Sequence, residues 1–352
     1  MNRLTVALGS RVTYCAGMVP DPGRRLPGSG WAARIRPFDS PVLRVRYRGG
    51  VVINLAGLPE WDLLARAMVT LPAPEPGYTV DELRVLDVLT ANEVMLAAGD
   101  PLWAFTAADY AALTPPGWTW AHVFGSRRLV LVPAEVHGAF RHLGGVATMP
   151  VDRSRRGIAI ENPGSVPLSP SGTLDDALLD AVEQRIGYPL PPAYRRFLAE
   201  GNGAVPTTPG IHPGHGFVVD QPFFSIGPSD RHQDLLYARP WFADRLTDEY
   251  LAIGYVQGGV LALRLAGPDA GSVWFADADD PRDDDRYDAA EFCAQVLSRC
   301  ADDLDAFRAE LSVVPGSLLV QVDARIAAGE ARQIVHPELG LSLPPAKRPP
   351  PA

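Results

Sequence analysis

The clearest alternation of apolar and polar positions lies between residues 173 and 203. Apolar residues there recur every four positions, which predicts an amphipathic helix with Thr173 as its N-cap. The apolar stripe consists of Leu174, Leu178, Val182 and Ile186. A second helix starting near Pro192 is predicted to end at Gly201-Asn202-Gly203, because glycine and asparagine tolerate positive φ angles.

Short apolar segments separated by glycines follow and predict an antiparallel meander. The strands are expected at residues 216–219, 223–226, 251–255, 260–265 and 272–277. Helical spacing predicts a closing helix over 289–310 and a shorter helix over 318–328.

The N-terminal half has a strand-like alternation over 43–55, a helical pattern over 80–96 and a shorter one over 106–113. The strand-like segment predicts a hairpin with an arginine stripe, Arg44, Arg46 and Arg48, on one face. Such a stripe suits a phosphate backbone, but it is more typical of a strand face in contact with solvent.

The pattern and composition predict an α+β protein of two domains, because a chain of 352 residues exceeds the size of one typical domain. Residues 151–172 are rich in Pro, Gly and Ser and are typical of a linker. The expected divisions are an irregular lead-in (1–40), a first domain (41–150), the linker (151–172), a second domain (173–312), and a short helix with a Pro-rich tail (313–352).

The composition, with 47% hydrophobic residues, is sufficient for two cores. No stretch approaches the roughly 18 consecutive apolar residues of a membrane helix. The N-terminus is also a poor signal peptide, so a cytoplasmic location is expected. Cys15, Cys293 and Cys300 lack metal-ligand spacing and are expected to be small buried apolar residues.

The net charge of −9 is unevenly distributed. Residues 1–150 hold 14 Arg against 12 Asp and Glu, which gives +2, whereas residues 151–352 hold 18 Lys and Arg against 29 Asp and Glu, which gives −11. The acidic half argues against nucleic-acid binding there and favours a basic protein partner. Solubility alone explains the same charge equally well.

The segment over 173–310 resembles the SUKH superfamily, which includes cell-wall-assembly regulators of the Smi–Knr type. The resemblance lies in Val182-Glu183, Ile186-Gly187, Leu190-Pro191, Tyr194, Phe197-Leu198, Asn202-Gly203, residues 251–255 and the GSVWFAD sequence over 271–277. It implies helices packed on an antiparallel sheet. Many bacterial members of this superfamily are immunity proteins that bind and neutralise secreted toxins, often nucleases, without an active site of their own.

The first domain resembles a different family, the WHH-type toxin nucleases of the HNH/endonuclease VII superfamily. The matching positions are Asp87, Ala91-Asn92, Trp120, His122, Arg127-Arg128, Leu131-Val132-Pro133, His137, His142 and Gly144-Gly145. The resemblance implies a ββα-metal-type module, in which a divalent metal stabilises charge at the scissile phosphate and a histidine activates water. It places His122 at the general base, His137 and His142 at two metal ligands, and Ala121 at the first ligand.

Alanine at the first ligand position indicates a degenerate module, because a methyl group cannot coordinate a metal and a catalytic zinc usually has three protein ligands. We therefore expect no cofactor; a divalent metal, Zn or Mg, is expected only if the nuclease site is active. Asp87 and Glu135 are candidates for a substitute ligand. Alternatively, His137 and His142 bind no metal, because five residues do not align two side chains on one face of a helix.

Two weaker features lie in the second domain. Seven aspartates occur in residues 277–288, but the segment lacks the Gly and Glu of a calcium-binding EF-hand loop. A solvated loop is expected there, and the second interpretation is an acidic surface for a basic toxin, formed by Asp279, Asp280, Asp283, Asp284 and Asp285. His212 and His215 are expected to be loop histidines rather than metal ligands, because no Cys or third His lies nearby.

These patterns favour a non-catalytic cytoplasmic protein of bacterial type that binds a protein partner, most simply an immunity-type factor that neutralises a basic nuclease toxin. One alternative is an active metal-dependent HNH endonuclease that binds nucleic acid and is restrained by its own SUKH domain. Another is a regulatory scaffold protein. No membrane contact is expected.

Overall fold

A computed structural model of the protein describes residues 5–7, 11–13, 53–54, 59 and 61–334, apart from short gaps. The gaps are residues 75–76, 105–111, 140–144, 147–148, 150, 153, 228–230, 244, 279, 281 and 284–286. The predicted hairpin over 43–55 therefore lies outside the described residues except for its last strand. The same holds for Cys15, His142, Asp279, Asp284, Asp285 and nearly all of the predicted helix over 106–113.

The first three strands form a small antiparallel sheet: β1 (Thr5–Ala7), β2 (Arg11–Thr13) and β3 (Ile53–Asn54). The lead-in over 1–40 was expected to be irregular, and β1 and β2 correct that expectation. Short alternating segments such as Thr5–Ala7 have too few residues to stand out from their Gly- and Pro-rich surroundings.

The N-terminal module, residues 59–158, is built around β4 (Ala67–Thr70) and the long helix α1 (Val80–Ala97). Thr79 caps α1 in a reciprocal capping box with Glu82, which fixes the start of the helix. The predicted helix over 80–96 is confirmed. Buried residues occur all around α1 because a sheet, the second domain and a C-terminal helix all pack against it.

A strand–strand–helix unit follows: β5 (Trp118–His122), β6 (Arg128–Pro133) and α2 (Ala134–Ala139). β5 and β6 pair in antiparallel fashion, and β6 also pairs with β4. Successive residues of β5 point to opposite faces, so Trp120 and His122 face α1 while Ala121 faces away from it.

The C-terminal domain begins with β7 (Leu168–Pro170), α3 (Asp176–Ile186) and α4 (Pro192–Gly201). Asp175, rather than the predicted Thr173, caps α3, because its carboxylate accepts a hydrogen bond from the amide of Leu178. Leu178 is 42% exposed while Leu179 is fully buried, so the predicted apolar stripe is wrong at this position.

The predicted end of the second helix is confirmed, and both helices end in residues with positive φ. Gly187 ends α3 with φ 85°, and Asn202 and Gly203 end α4 with φ 42° and 76°. Asn202 also exchanges two hydrogen bonds with Ile226 through its side chain, which holds the end of α4 against the following segment. Tyr194 and Leu198 are fully buried, as the apolar face of the second helix predicts.

Seven further strands of the C-terminal domain lie among the described residues before Leu304. They are β8 (Ala204–Pro206), β9 (Gly210–Ile211), β10 (Val218–Val219), β11 (Tyr250–Val256), β12 (Gly259–Arg264), β13 (Val273–Asp277) and β14 (Ser298–Ala301). β11 to β14 form an antiparallel meander in sequence order, which confirms the prediction over 251–277. The predicted strand over 223–226 makes only isolated bridges, at Phe223 and Ser225.

The domain also contains three helices, α5 (Leu235–Ala238), α6 (Ala289–Gln295) and α7 (Leu304–Glu310). A short strand, β15 (Ser312–Val313), follows α7. The predicted closing helix over 289–310 is wrong, because β14 interrupts it and pairs with β13. Asp288 and Asp303 each cap a new helix start, so the segment contains two separate helix signals.

The chain then returns to the N-terminal module with α8 (Gly316–Ala327) and β16 (Arg332–Gln333). α8 packs on α1, and β16 pairs with β4, which gives a four-stranded sheet in the order β16-β4-β6-β5. The predicted helix over 318–328 is thus confirmed, but it is not a separate tail. The predicted linker over 151–172 ends in β7, which pairs with β8.

The apolar core of the C-terminal domain lies between its helices and the β11–β14 sheet. A second core cluster joins Val85 and Leu89 of α1 to Val218 of β10 and Val322 of α8. The two halves of the molecule therefore share buried apolar contacts. No helix among the described residues combines the length and apolar character needed to cross a membrane.

Candidate functional site

His122, the residue at the general-base position, lies at the end of β5 and is buried, with 8% of its surface exposed. Its Nε2 atom lies 3.1 Å from a carboxylate oxygen of Asp87 on α1. The imidazole therefore faces the interior of the module, toward a buried carboxylate.

Asp87 is itself held by two arginines. Arg127 donates two hydrogen bonds of 2.8 Å to the two carboxylate oxygens, and Arg325 of α8 donates a third of 3.0 Å. Burial alone would raise the pKa of Asp87, but the hydrogen bonds from His122 and Arg127 outweigh it and lower the pKa below its ordinary value. The carboxylate is thus ionised, and both of its oxygens accept hydrogen bonds.

Gly145 allows a close approach to His122. A Cβ atom at Gly145 would lie 2.5 Å from the carbonyl oxygen of His122, which is closer than such atoms can come. This contact gives a structural reason for the glycine at position 145 of the motif.

Trp120 and Asn92, two more motif residues, have a structural role. The indole of Trp120 donates a 2.8 Å hydrogen bond to the side-chain oxygen of Asn92. The amide nitrogen of Asn92 in turn donates to Ala112 and Thr114. These bonds fasten the segment before β5 to α1.

Ala121 points to the opposite face of β5, where it is 1% exposed and belongs to an apolar cluster with Trp61 and Val130. His137 of α2 lies on this side as well, since its ring centroid is 5.3 Å from that of Trp61. The first-ligand position and a predicted ligand thus share a face, and Trp61 with apolar side chains fills it.

Comparison with known families assigns both parts of the chain. Residues 173–310 match the SMI1/KNR4 family (SUKH-1), and the observed helices and antiparallel meander fit that assignment. The C-terminal domain is a SUKH domain. Residues 112–152 match the model of a nuclease of the HNH/ENDO VII superfamily with conserved WHH. No curated protein matches the chain.

The WHH segment thus comprises β5, β6 and α2, and it continues into the Gly144-Gly145 sequence. Its fold has the ββα order that the family resemblance implies. Together with the SUKH domain, it confirms the fused architecture and the α+β class.

The described residues do not fit a metal. They contain no group of three or more His, Cys, Asp or Glu side chains placed to hold an ion. Of the two candidates for a substitute ligand, Asp87 bonds to arginines, and Glu135 forms an ion pair with His232 of the SUKH domain. The side chain of Ala121, which lies among apolar side chains, has no atom that can coordinate a metal.

The described arginines of the N-terminal module also form ion pairs. Each of the six described between residues 59 and 158 forms an ion pair with an aspartate. They are Arg66, Arg84, Arg127, Arg128, Arg155 and Arg156. A phosphate backbone would have to compete with these carboxylates for every one of them.

The SUKH domain contacts the WHH segment through buried polar side chains. Gln257 accepts hydrogen bonds from the hydroxyl of Thr119 and the amide of Trp120, at 3.0 and 3.1 Å. Its own amide donates to Asp220, whose other oxygen accepts from the amide of Thr114. Burial raises the pKa of Asp220 to about 6, against the opposing effect of the hydrogen bonds from Gln257 and Thr114.

Two more side chains of the SUKH domain bond to backbone groups of the module. Gln221 donates to the carbonyl oxygen of Thr114 at 3.1 Å and accepts from the amide of Gly117 at 2.9 Å. Arg245, only 2% exposed, donates a 2.8 Å hydrogen bond to the carbonyl oxygen of Gly138 at the end of α2. The SUKH domain therefore holds the hairpin and the helix of the ββα unit.

A buried ion pair crosses the same boundary. Arg84 of α1 donates to both carboxylate oxygens of Asp277 at 3.1 and 3.2 Å, and both residues are buried. A Cβ at Gly258 would lie 3.2 Å from Nε of Arg84, so the β11–β12 turn needs a glycine there for steric reasons as well as for its φ of 91°.

The expected acidic surface over 277–288 is not formed by its described members. Asp280 is 9% exposed and pairs with Arg282, and Asp283 is 6% exposed. Asp288 caps α6. Local capping and ion pairing explain these carboxylates, and the prediction of a solvated patch is wrong for Asp280 and Asp283.

His212 and His215 stack on each other, with ring centroids 5.2 Å apart. His212 is 1% exposed and packs against the rings of Phe217 and Phe307, with centroids 5.0 and 5.6 Å away. It lies in the loop between β9 and β10, as the sequence predicted, but its ring is buried in the domain. Burial, with a smaller effect of His215, lowers its pKa to about 3.

Cys293 and Cys300 are free and half-buried, and Cys300 lies on β14 rather than in a helix. Burial raises the pKa of both thiols above the ordinary value. Their protonated state at neutral pH agrees with the expectation of apolar packing residues.

Proposed function

We propose that the protein is a non-catalytic, immunity-type binding protein that neutralises a nuclease toxin with basic surface charge. The observation that carries the proposal is the placement of Ala121 and His137 against Trp61. A metal bound between the first-ligand position and His137 would have to displace a buried indole, and it would find a methyl group in place of a ligand.

The environment of His122 supports the same conclusion. A general base needs access to the proton that it removes. His122 is 8% exposed, and Asp87, Arg127 and Arg325 form an ion-pair network around it. The network engages His122, and every described arginine of the module has an aspartate partner with which a phosphate would have to compete.

The SUKH domain supports a role in binding, because the family suggests immunity-type function. The net charge of −9 favours association with a basic protein by electrostatic steering. The proposed partner is therefore the basic nuclease domain of a secreted toxin, bound in the cytoplasm of a bacterial cell.

The first test has two arms. The purified native protein is incubated with plasmid DNA and Mg²⁺, Mn²⁺ or Zn²⁺, beside its His122→Ala variant, and neither is expected to cleave. In the second arm, basic nuclease-toxin domains from the genome that encodes this protein are expressed one at a time, and cells that express the cognate domain are expected to grow only when the full chain is co-expressed. Metal-dependent cleavage that disappears in His122→Ala would overturn the proposal.

A second candidate is a nuclease restrained by its own SUKH domain. It is favoured by the direct bonds of Gln221, Gln257 and Arg245 to the ββα unit. This function predicts that Gln257→Ala and Arg245→Ala release DNA cleavage. If these variants remain inert while the chain still protects cells, the immunity-type function is retained and the restrained nuclease is rejected.

A further inference from the structure

The segment after the SUKH domain, residues 316–334, packs on the N-terminal module. We call this segment the C-terminal strap. Its helix α8 packs on α1, and Leu318 and Val322 are 7% and 1% exposed within the apolar cluster of the module. At the same time Val320, on the outer side of α8, is 67% exposed. The helix thus buries one stripe, and that stripe belongs to the module.

The strap also completes the sheet of the module. β16 pairs with β4 in the register Arg332 with Thr70 and Gln333 with Val69. The amide of Ile334 then donates to the carbonyl oxygen of Met68 at 2.8 Å. Without the strap, β4 would be an edge strand with unpaired backbone groups.

Side chains of α8 reach the buried network around His122. Arg325 donates to Asp87 at 3.0 Å, and its guanidinium lies 5.7 Å from the ring centroid of Tyr78. The hydroxyl of Tyr78 donates a 2.6 Å hydrogen bond to Gln321 one turn earlier. These polar contacts and the apolar stripe of α8 therefore both fix the position of the strap.

The chain crosses between its two parts twice, and the two crossings are bonded to each other. In the linker, the amide of Gly164 donates to Leu311 at 2.7 Å. Ser165 accepts from the amide of Val313, and Glu161 accepts from the amide of Gly316. The linker and the segment that leads into the strap thus form one connection of two antiparallel chains.

From this placement we infer that the C-terminal strap is a structural clasp for the N-terminal module, with Arg325 as a positioning residue for Asp87. The module then needs sequence from both ends of the chain to keep its fold. It remains docked on the SUKH domain and is not a separable unit. A binding partner of the protein therefore contacts the N-terminal module and the SUKH domain as one continuous surface.

The test compares hydrogen exchange of the full chain and two point variants within the strap. Arg325→Gln removes the bond to Asp87, whereas Arg332→Gln changes an exposed residue of β16 and is the matched control. In Arg325→Gln, amides of α1 and β4 are expected to exchange about tenfold faster or more, because a buried carboxylate loses a charged partner. Amides of β11–β13 are expected to be unchanged, and so is every amide in the control.

Two truncations give an independent comparison. A chain that ends at Ile334 is expected to keep the exchange pattern of the native protein, whereas a chain that ends at Val314 is expected to lose protection in α1 and β4. Unchanged exchange of α1 and β4 in Arg325→Gln or in the shorter chain would overturn the inference. An equal acceleration of all amides in Arg325→Gln would overturn it as well. If the shorter chain does not fold, the point variants decide.

Discussion

Replacement of His212 by phenylalanine should make the protein more resistant to acid. His212 is 1% exposed and packs against the rings of Phe217 and Phe307, so a phenyl ring suits its aromatic surroundings. Its Nδ1 accepts a 3.2 Å hydrogen bond from the amide of Gly214, which requires this nitrogen to be unprotonated. Its Nε2 is buried and lies 3.5 Å from a carboxylate oxygen of Glu310.

The sign of the pH effect follows from the lowered pKa. Burial moves the pKa of His212 from 6.5 to about 3, so the unfolded chain binds a proton between these values and the folded chain does not. Stability is therefore complete above pH 6.5 and falls as the pH decreases toward 3. At about 1.36 kcal/mol per pKa unit, this single histidine lowers the free energy of unfolding by roughly 2 kcal/mol at pH 5.

The assay is urea unfolding of the native protein and His212→Phe at pH 7.5 and pH 5. The variant loses the bond from Gly214, which costs about 1 kcal/mol at both pH values. The difference between variant and native protein should therefore shift by roughly 2 kcal/mol in favour of the variant at pH 5. Phe224→Leu shortens a fully buried aromatic residue that packs on Tyr255, away from His212, so its effect should be the same at both pH values. An equal effect of His212→Phe at both pH values would refute the reasoning.

Three further predictions concern stability and metal binding. Arg84→Met should lower the free energy of unfolding by about 3–5 kcal/mol in urea, because it leaves Asp277 buried without this partner. The double variant with Asp277→Leu should recover most of that loss, and equal stability of the single and double variants would contradict this. Gly145→Ala should cost about 1–3 kcal/mol by steric overlap. Gly316→Ala has open space and should be neutral or slightly stabilising, and equal effects of the two would argue against the close contact. Ala121→His should lose about 1–3 kcal/mol by overpacking its cluster. Zn²⁺ should not raise its Tm, and a rise specific to this variant would show that the site accepts a metal.

Local signals in the sequence were sufficient for much of the SUKH domain. Gly187 and Asn202 end helices because each adopts a positive φ, and this preference is a property of the residue itself. The predicted closing helix over 289–310 is wrong because apolar periodicity alone does not mark where one helix ends and the next begins. Asp303 caps a new helix start within this segment.

The candidate site depended on contacts that no local pattern contains. Asp87 was recognisable as a motif residue, but its partner Arg325 lies 238 positions away, in the predicted helix over 318–328, which no local pattern places against α1. Likewise, His212 lies in the predicted loop, but its Gly and Pro neighbours do not indicate that its ring is buried against Phe217 and Phe307. Burial of a polar residue is decided by what packs over it, and that is tertiary information.

Ala121 at the first-ligand position and the packing of the SUKH domain on the ββα unit bear on the same question. Because Ala121 faces apolar side chains, that face of the WHH segment is packed rather than open and polar. Gln257 and Arg245 are buried, and each bonds to a backbone group of the ββα unit. A nuclease-like fold is therefore compatible with the proposed role in binding, because its hairpin and helix here support one face of the SUKH domain.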